Sequence, residues 1–159
     1  MIVIGYQGIG KSSLAGRNNR FIDLESGNFL VDGKRADDWY KPYCQIAEHL
    51  SQQGYIVFTS SHEVVRKQLE NSSETIVVAY PSIELKDEWI DKLEIRYANS
   101  GLEKDYKALM NAKDRYEENI KELIEYCWRS RAHGLSLITM NYDLEAALIH
   151  LKNEIEKFW

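Results

Sequence analysis

The sequence predicts an α/β fold in which a doubly wound, parallel, five-stranded sheet lies between two layers of helices. Three observations support this prediction. Apolar segments alternate along the chain with segments of helical periodicity. The apolar segments are hydrophobic at successive positions, as in strands that are buried on both faces. The first of them leads through a glycine-rich loop into a helix, an arrangement typical of sheets that bind ligands beyond the carboxyl ends of their strands.

Five short runs of β-branched, aromatic and other apolar residues are the predicted strands. Gly5 follows the first run and Pro81 follows the fourth, and both residue types interrupt regular strands. The predicted strands cover residues 1–4, 21–24, 55–59, 75–80 and 135–139.

Apolar stripes at three- and four-residue spacing, together with capping residues, predict the helices. Ser82 can cap the fourth helix and Asp143 the last one. Breakers at residues 99–101 separate the fourth helix from a long fifth one. Six helices are predicted: one that begins at residue 11, one over residues 36–53, one from 61 to about 70, one that begins after 82, one over about 102–128, and one that begins after 143.

Length and composition predict one globular domain spanning residues 1–159. The net charge of −5 provides no general attraction for polymeric nucleic acid or for an anionic membrane, so neither is an expected partner. Cys44 and Cys127 are too few for a disulfide framework and have no zinc-ligand spacing. No apolar run approaches membrane-spanning length. We therefore expect a cytoplasmic protein, monomeric or homodimeric, whose partners are small molecules.

The first loop satisfies the Walker A pattern G-x-x-x-x-G-K-[ST]. Its glycines allow the main chain to wrap a phosphate with its own N–H groups, and the helix behind it adds further donors. The lysine is expected to reach the β- and γ-phosphates and the serine to ligate Mg²⁺, so ATP and Mg²⁺ are the predicted cofactors. The predicted cofactor-binding residues are Gly5, Gln7, Gly8, Ile9, Gly10, Lys11, Ser12 and Ser13.

Two carboxylates, Asp23 and Glu25, lie at the end of the second predicted strand, on one side of an extended segment. Asp23 is expected to hold Mg²⁺ or its waters, or to orient an acceptor hydroxyl, and Glu25 to contact the substrate. The alternative is that both only stabilise a turn. The third predicted strand, which usually carries the Walker B acid, has no acid before Glu63. Either Asp23 replaces that acid, or Ser12 and phosphate hold most of the metal.

The third strand ends instead in Ser60, Ser61 and His62, which are predicted to line the substrate site. Phosphoryl transfer needs little help from a base, so His62 is more typical of a helix start than of a general base. The acceptor phosphate is expected on Arg66 or Arg35, although a surface position for Arg66 is equally consistent with the sequence. Trp39 can stack on a base or pack in the core.

Cations are concentrated in the predicted lid, at about residues 84–131. Arg96 precedes the breakers at 99–101, which are the predicted hinge, and Arg115 lies on the cationic face of the long helix. Planar guanidinium groups suit a transferring phosphoryl group, so both arginines are predicted catalytic residues beside Lys11 and Asp23. The alternative is a solvated helix whose cations form intrahelical ion pairs.

The sequence resembles the small P-loop kinases, especially the nucleoside monophosphate kinases. GYQGIGKSS is similar to their phosphate loop, and AYPSIELKDEWIDKLEIRY to the guanylate-kinase Pro-Ser turn, acidic helix and lid arginine. TMNYDLEAALIHLKNEI resembles their last strand end and closing helix, which implies that Asn141 lies near the adenine. FIDLES is more similar to the Asp-x-Asp segment of shikimate and gluconate kinases. The resemblance implies a P-loop NTPase fold with a helical lid.

The expected function is therefore an ATP:nucleoside-monophosphate phosphotransferase, acting on a ribonucleotide or a deoxynucleotide. The short segment 27–53 replaces the tyrosine-rich GMP-binding subdomain of guanylate kinases, so the base of the acceptor stays open. One alternative is a kinase for a small metabolite, of the shikimate- or gluconate-kinase type, in which Asp23 orients the accepting hydroxyl. The other is a non-catalytic regulatory protein that binds nucleotide.

Overall fold

The computed structural model describes residues 1–158. Its strands are β1 (Ile2–Gly5), β2 (Phe21–Asp23), β3 (Leu30–Val31), β4 (Lys34–Arg35), β5 (Ile56–Thr59), β6 (Ile76–Pro81) and β7 (His133–Leu137). Its helices are α1 (Lys11–Arg17), α2 (Tyr40–Gln52), α3 (Glu63–Leu69), α4 (Lys86–Ser100), α5 (Glu103–Arg129) and α6 (Leu144–Glu156). Short 3₁₀ turns cover Ser26–Phe29 and Ile83–Leu85. Within residues 1–158, no helix is both long enough and apolar enough to cross a bilayer.

Five strands form one parallel sheet in the order β2-β5-β1-β6-β7, which confirms the predicted parallel five-stranded sheet. Ile4 aligns with Thr59 of β5 and with Val78 of β6, so the carboxyl ends of the central strands meet at one edge. Every residue of β1, β5 and β6 is buried. Because successive side chains point to opposite faces, helices must cover both faces of the central strands.

Side-chain contacts divide the helices into two groups. Asn18, at the end of α1, donates to Glu145 of α6 at 2.7 Å. The Tyr126 hydroxyl of α5 donates to the Arg66 carbonyl of α3 at 2.8 Å. Right-handed crossovers place α1 on one face of the sheet and α2, α3 and α5 on the other, and the contact between α1 and α6 puts α6 with α1.

The last strand was predicted two residues too far along the chain. β7 aligns Leu137 with Pro81, and the Ser82 N–H then donates to the Leu137 carbonyl at 2.9 Å, which ends the pairing there. β7 is also an edge strand that is mostly exposed, so its apolar residues do not report burial on both faces. Pro81 closes β6 as its last residue instead of lying beyond it.

The antiparallel hairpin of β3 and β4 was not predicted, and it moves the start of α2 from residue 36 to Tyr40. Asp32 and Gly33 both have positive φ, 52° and 77°, as in the Asp-Gly turns that join two-residue hairpins. The predicted break at residues 99–101, between the fourth and fifth helices, is confirmed, since Gly101 ends α4 with a φ of 64°. The long helix α5 has one non-helical residue, Arg115, with φ −137° and ψ 21°.

Tyr43 of α2 joins the carboxyl ends of β2 and β5. Its buried hydroxyl donates to the Leu24 carbonyl at 2.6 Å and accepts the Ser60 N–H at 2.9 Å. Burial raises the pKa of Tyr43, because the phenolate would be desolvated. The two loops that follow these strands are therefore fixed to each other by one side chain.

We expect Tyr43→Phe to lower the free energy of unfolding by about 1–3 kcal/mol, because the Ser60 N–H and the Leu24 carbonyl lose a buried partner. Tyr40→Phe is the matched control, since its hydroxyl makes no hydrogen bond within residues 1–158. Chemical denaturation of the two variants measures the difference. Equal stabilities would show that the Tyr43 hydroxyl does not hold the loops together.

Candidate functional site

The glycine-rich loop between β1 and α1 has a conformation that requires glycine at each motif position. Gly8 and Gly10 have φ values of 85° and 104°, which side chains disfavour. A Cβ atom on Gly5 would lie 2.7 Å from Ile9 Cδ1 and 2.8 Å from Lys11 Cδ. The predicted strand, loop and helix are therefore present with the backbone geometry that the motif needs.

The loop carries main-chain donors that have no protein acceptor. Its carbonyls are bound from outside, because Trp89 Nε1 donates to the Gln7 carbonyl at 3.0 Å and the Tyr142 hydroxyl to the Ile9 carbonyl at 2.9 Å. A concave set of unpaired N–H groups is an anion-binding arrangement. Within residues 1–158, the loop N–H groups without an acceptor are those of Gln7, Gly8, Gly10, Lys11, Ser12 and Ser13.

A cleft of about 500 Å³ opens above this loop. It brings together residues that are far apart in the sequence: the loop, the ends of β2 and β5, and the lid helices α4 and α5. The predicted site residues that line it are Gln7, Gly8, Gly10, Lys11, Ser12, Ser13, Asp23, Glu25, Ser60 and Arg96. The predicted loop residues Gly5 and Ile9 do not line it.

Charges of opposite sign face each other in this cleft. Lys11 Nζ donates to the Gly5 carbonyl at 3.2 Å. Burial lowers the pKa of Lys11, and the charges of Asp23 and Glu25 oppose that shift. Burial raises the pKa of Asp23, Lys11 counteracts the rise, and Glu25 adds to it through its charge and a hydrogen bond. An anionic ligand would therefore meet a preorganised ammonium group with carboxylates beside it.

The oxygen donors of the cleft fit Mg²⁺ held together with phosphate. The exposed Ser12 hydroxyl and the half-buried Asp23 carboxylate line the same space. No group of three or more His, Cys, Asp or Glu side chains in the described chain could hold a metal without other ligands. Mg²⁺ commonly takes one or two protein oxygens plus phosphates and waters. At the end of β5, the buried Thr59 Oγ1 has no partner in residues 1–158, and that strand supplies no acid.

No protein-family model matches this chain, and no curated protein does. The resemblance to nucleoside monophosphate kinases therefore rests on the sequence segments quoted above, and a function must be inferred from the residues of the clefts.

The two predicted lid arginines are both engaged by carboxylates. Arg96 Nε lies 2.9 Å from Asp105 Oδ1, and the Asp105 side chain is only 4% exposed. Arg115 pairs with Glu118 and Glu122 at 3.1 Å each, as the alternative of intrahelical ion pairs predicts. Arg96 lines the phosphate-loop cleft, whereas Arg115 lines a second cleft.

The second cleft, also about 500 Å³, lies between the end of β5 and α5 and shares Lys11 with the first. Ser60, Ser61 and His62 line it as a group, and His62 Nδ1 lies 2.8 Å from Ser60 Oγ. Burial lowers the pKa of His62, and the charges of Arg35 and Lys11 lower it further.

Arg66 also borders the second cleft, although its side chain is mostly buried. Its Nε donates to the Ser61 carbonyl at 3.0 Å, and its Nη2 lies 3.6 Å from Glu122 Oε2. These contacts and its burial exclude the alternative that Arg66 is a surface arginine.

Trp39 and Arg35 line a third cleft, beside the β3–β4 hairpin. The Arg35 guanidinium lies 4.7 Å from the centroid of the Trp39 ring. Tyr43 and His62 pack edge-on against that ring, at interplanar angles of 63° and 83°. This contact pattern agrees with the packing alternative for Trp39. Arg35 is held further by the Ser26 carbonyl and hydroxyl.

Asn141 is exposed and lines none of these clefts. Its neighbours Met140 and Tyr142 line a fourth cleft, of about 620 Å³, beside Ser13. Among the residues that contact the loop or line its cleft without having been predicted are Trp89, Lys92 and Tyr142. The spacing of Trp89, Lys92 and Arg96 on one helix face was the available signal.

We expect Gly8→Ala to lower the free energy of unfolding by about 1–2 kcal/mol, the usual cost of a side chain in a left-handed backbone conformation. Its Cβ would also lie 3.0 Å from Leu93 Cδ2. Gly16→Ala is the control, because Gly16 lies in α1 with no atom within 4 Å of an added Cβ, and alanine there should stabilise by about 0.5–1 kcal/mol. Chemical denaturation measures both, and a stabilising Gly8→Ala would contradict the assigned loop strain.

Proposed function

We propose that this chain is an ATP-dependent phosphotransferase with a P-loop NTPase fold, and that it transfers the γ-phosphoryl group to a nucleoside or deoxynucleoside monophosphate. The observation that carries the proposal is the phosphate loop itself. Its unpaired N–H groups and the half-buried Lys11 face one cleft together with Ser12 and Asp23. Such a site suits a polyphosphate accompanied by a divalent cation.

The proposed reaction breaks the bond between the γ-phosphorus and the oxygen that bridges it to the β-phosphorus. An oxygen of the acceptor phosphate forms the new bond, and ADP leaves. Negative charge on the transferring group is neutralised by Lys11 and by the loop N–H groups. Mg²⁺, when bound, would neutralise further charge on the β- and γ-oxygens. Ser12 and Asp23 are the residues that would hold it.

The acceptor is proposed to approach Lys11 from the side of Asp23, Glu25 and the Ser60–His62 turn. Glu25, Ser60 and His62 each line two of the three neighbouring clefts, and Asp23 lines the phosphate-loop cleft. Arg66 and Arg35 each border one of those neighbouring clefts, so either could contact an acceptor phosphate. The lid helices exclude water above the cleft, which limits wasteful hydrolysis of ATP.

One observation favours a second candidate, a kinase for a small hydroxylated metabolite. The Arg35 guanidinium lies over the Trp39 ring and Tyr43 packs against it, so less of the ring is available for stacking on an acceptor base. In that reaction Asp23 would orient the accepting hydroxyl. A transfer screen with ATP, Mg²⁺ and a panel of nucleoside monophosphates, deoxynucleoside monophosphates and sugar acids distinguishes the two acceptors. Nucleotide binding with no acceptor-dependent release of ADP would contradict both and indicate a non-catalytic nucleotide-binding protein.

We expect Lys11→Ala to reduce phosphoryl transfer by about 10²–10³-fold, the usual cost of losing one electrostatic contact to a transition state. Circular dichroism should show an unchanged fold, because Lys11 makes a single protein hydrogen bond, to the Gly5 carbonyl. The initial rate of ADP release with a saturating acceptor is the measurement. Wild-type turnover in this variant would refute the role assigned to the loop.

We expect Asp23→Asn to raise the Mg²⁺ concentration needed for half-maximal transfer by about 10- to 100-fold, as for other residues that support a metal site. Glu63→Gln is the control, because Glu63 is the first acid after β5 but pairs with Lys67 at 3.1 Å on the surface. The measurement is the rate of phosphoryl transfer by each variant as the Mg²⁺ concentration is raised. A larger effect of Glu63→Gln would show that Glu63, not Asp23, replaces the missing acid.

A further inference from the structure

Lys92 is a cation of the lid that has no anionic partner. Its Nζ donates to the Tyr142 hydroxyl at 2.7 Å and lies 4.4 Å from the centroid of the Trp89 ring and 5.1 Å from that of Tyr142. No carboxylate in residues 1–158 forms an ion pair with it. Burial lowers the pKa of Lys92, and the charge of Arg96 lowers it further. A partly buried ammonium supported only by rings and a phenol is poorly neutralised.

The other two cations of α4 are neutralised by carboxylates of α5. Lys86 lies 3.6 Å from Glu117, and Arg96 lies 2.9 Å from Asp105. Lys92 is thus the cation of this helix whose charge is available to a ligand.

Lys92 is also placed where a bound polyphosphate would pass. It lines both the phosphate-loop cleft and the fourth cleft, and these two clefts share Gly10 and Ser13. Trp89 and Tyr142, the two side chains that contact Lys92, also hold the glycine-rich loop, because they donate to the carbonyls of Gln7 and Ile9. The ammonium is therefore fixed relative to the unpaired loop N–H groups before any ligand arrives, which reduces the entropy lost on binding.

We propose that Lys92 contacts the phosphates of the bound donor nucleotide, so that the lid supplies a lysine, rather than Arg96 or Arg115, to the triphosphate. Trp89 and Tyr142 are its positioning residues. This inference rests on the proposed function, because its ligand is the donor nucleotide of that site.

The test is calorimetric titration of wild type, Lys92→Met and Lys113→Met with ATP and with ADP, each in the presence of Mg²⁺. Lys113→Met is the matched control, because it removes the same charge from the lid. Lys113 itself pairs with Glu94 at 2.9 Å and lines none of these clefts. We expect Lys92→Met to weaken ATP binding by about 10- to 100-fold, as for loss of a charge-assisted contact, with Lys113→Met unchanged. Lys92→Arg, which keeps the charge, should recover part of the loss.

Wild-type affinity for ATP in Lys92→Met would overturn the inference while leaving the proposed function intact. Equal losses in Lys92→Met and Lys113→Met would also overturn it, since the effect would then come from net charge alone. Denaturation curves establish that each variant is folded, and Lys92→Gln replaces Lys92→Met if methionine destabilises the lid. Failure of the wild-type protein to bind either nucleotide would overturn the proposed function, and this inference with it.

Discussion

Everything in the candidate site depends on keeping a row of main-chain donors unpaired at one edge of the sheet. Such groups would normally bond to nearby carbonyls, since unpaired backbone groups are costly when buried. Here the loop carbonyls of Gln7 and Ile9 are already occupied by Trp89 and Tyr142, and Gly8 and Gly10 hold the backbone in conformations that other residues disfavour. The donors of the first turn of α1 have no intrahelical acceptor, and the glycine conformations leave them facing the cleft.

The helix α5 also holds the glycine-rich loop, through the side chain of Gln7. Gln7 Nε2 donates to the Ala108 carbonyl of α5 at 3.0 Å and to Asn111 at 3.2 Å. The loop is thus tied through its backbone to α4 and through a side chain to α5. Neither contact uses a charge, so the charged groups Lys11, Asp23 and Lys92 keep their capacity for a ligand. Structural and ligand-facing interactions are carried by different atoms of the same short segment.

The central strands and the glycine-rich loop could be predicted because both are encoded locally. Runs such as those of β5 and β6 are apolar at every position, and the loop motif fixes glycines at set spacing. The partner of Arg96 could not be predicted, because Asp105 comes from another helix, α5. The pairing of Arg115 with Glu118 and Glu122 lies within α5, and the alternative of intrahelical ion pairs predicted it. The hairpin at Asp32-Gly33 was overlooked because its strands are only two residues long.

Asp105 has a mechanical consequence for the tip of the lid. Its buried carboxylate binds Arg96 of α4 and accepts a hydrogen bond from the Ser100 hydroxyl, immediately beside the glycine that separates the two helices. These two contacts hold the turn at Gly101 in place. The turn is therefore less suited to act as a hinge than the breakers at residues 99–101 indicate. In the proposed phosphotransferase, opening of the lid would therefore move α4 and the first half of α5 as one unit. We expect that unit to bend at Arg115, where α5 departs from helical geometry.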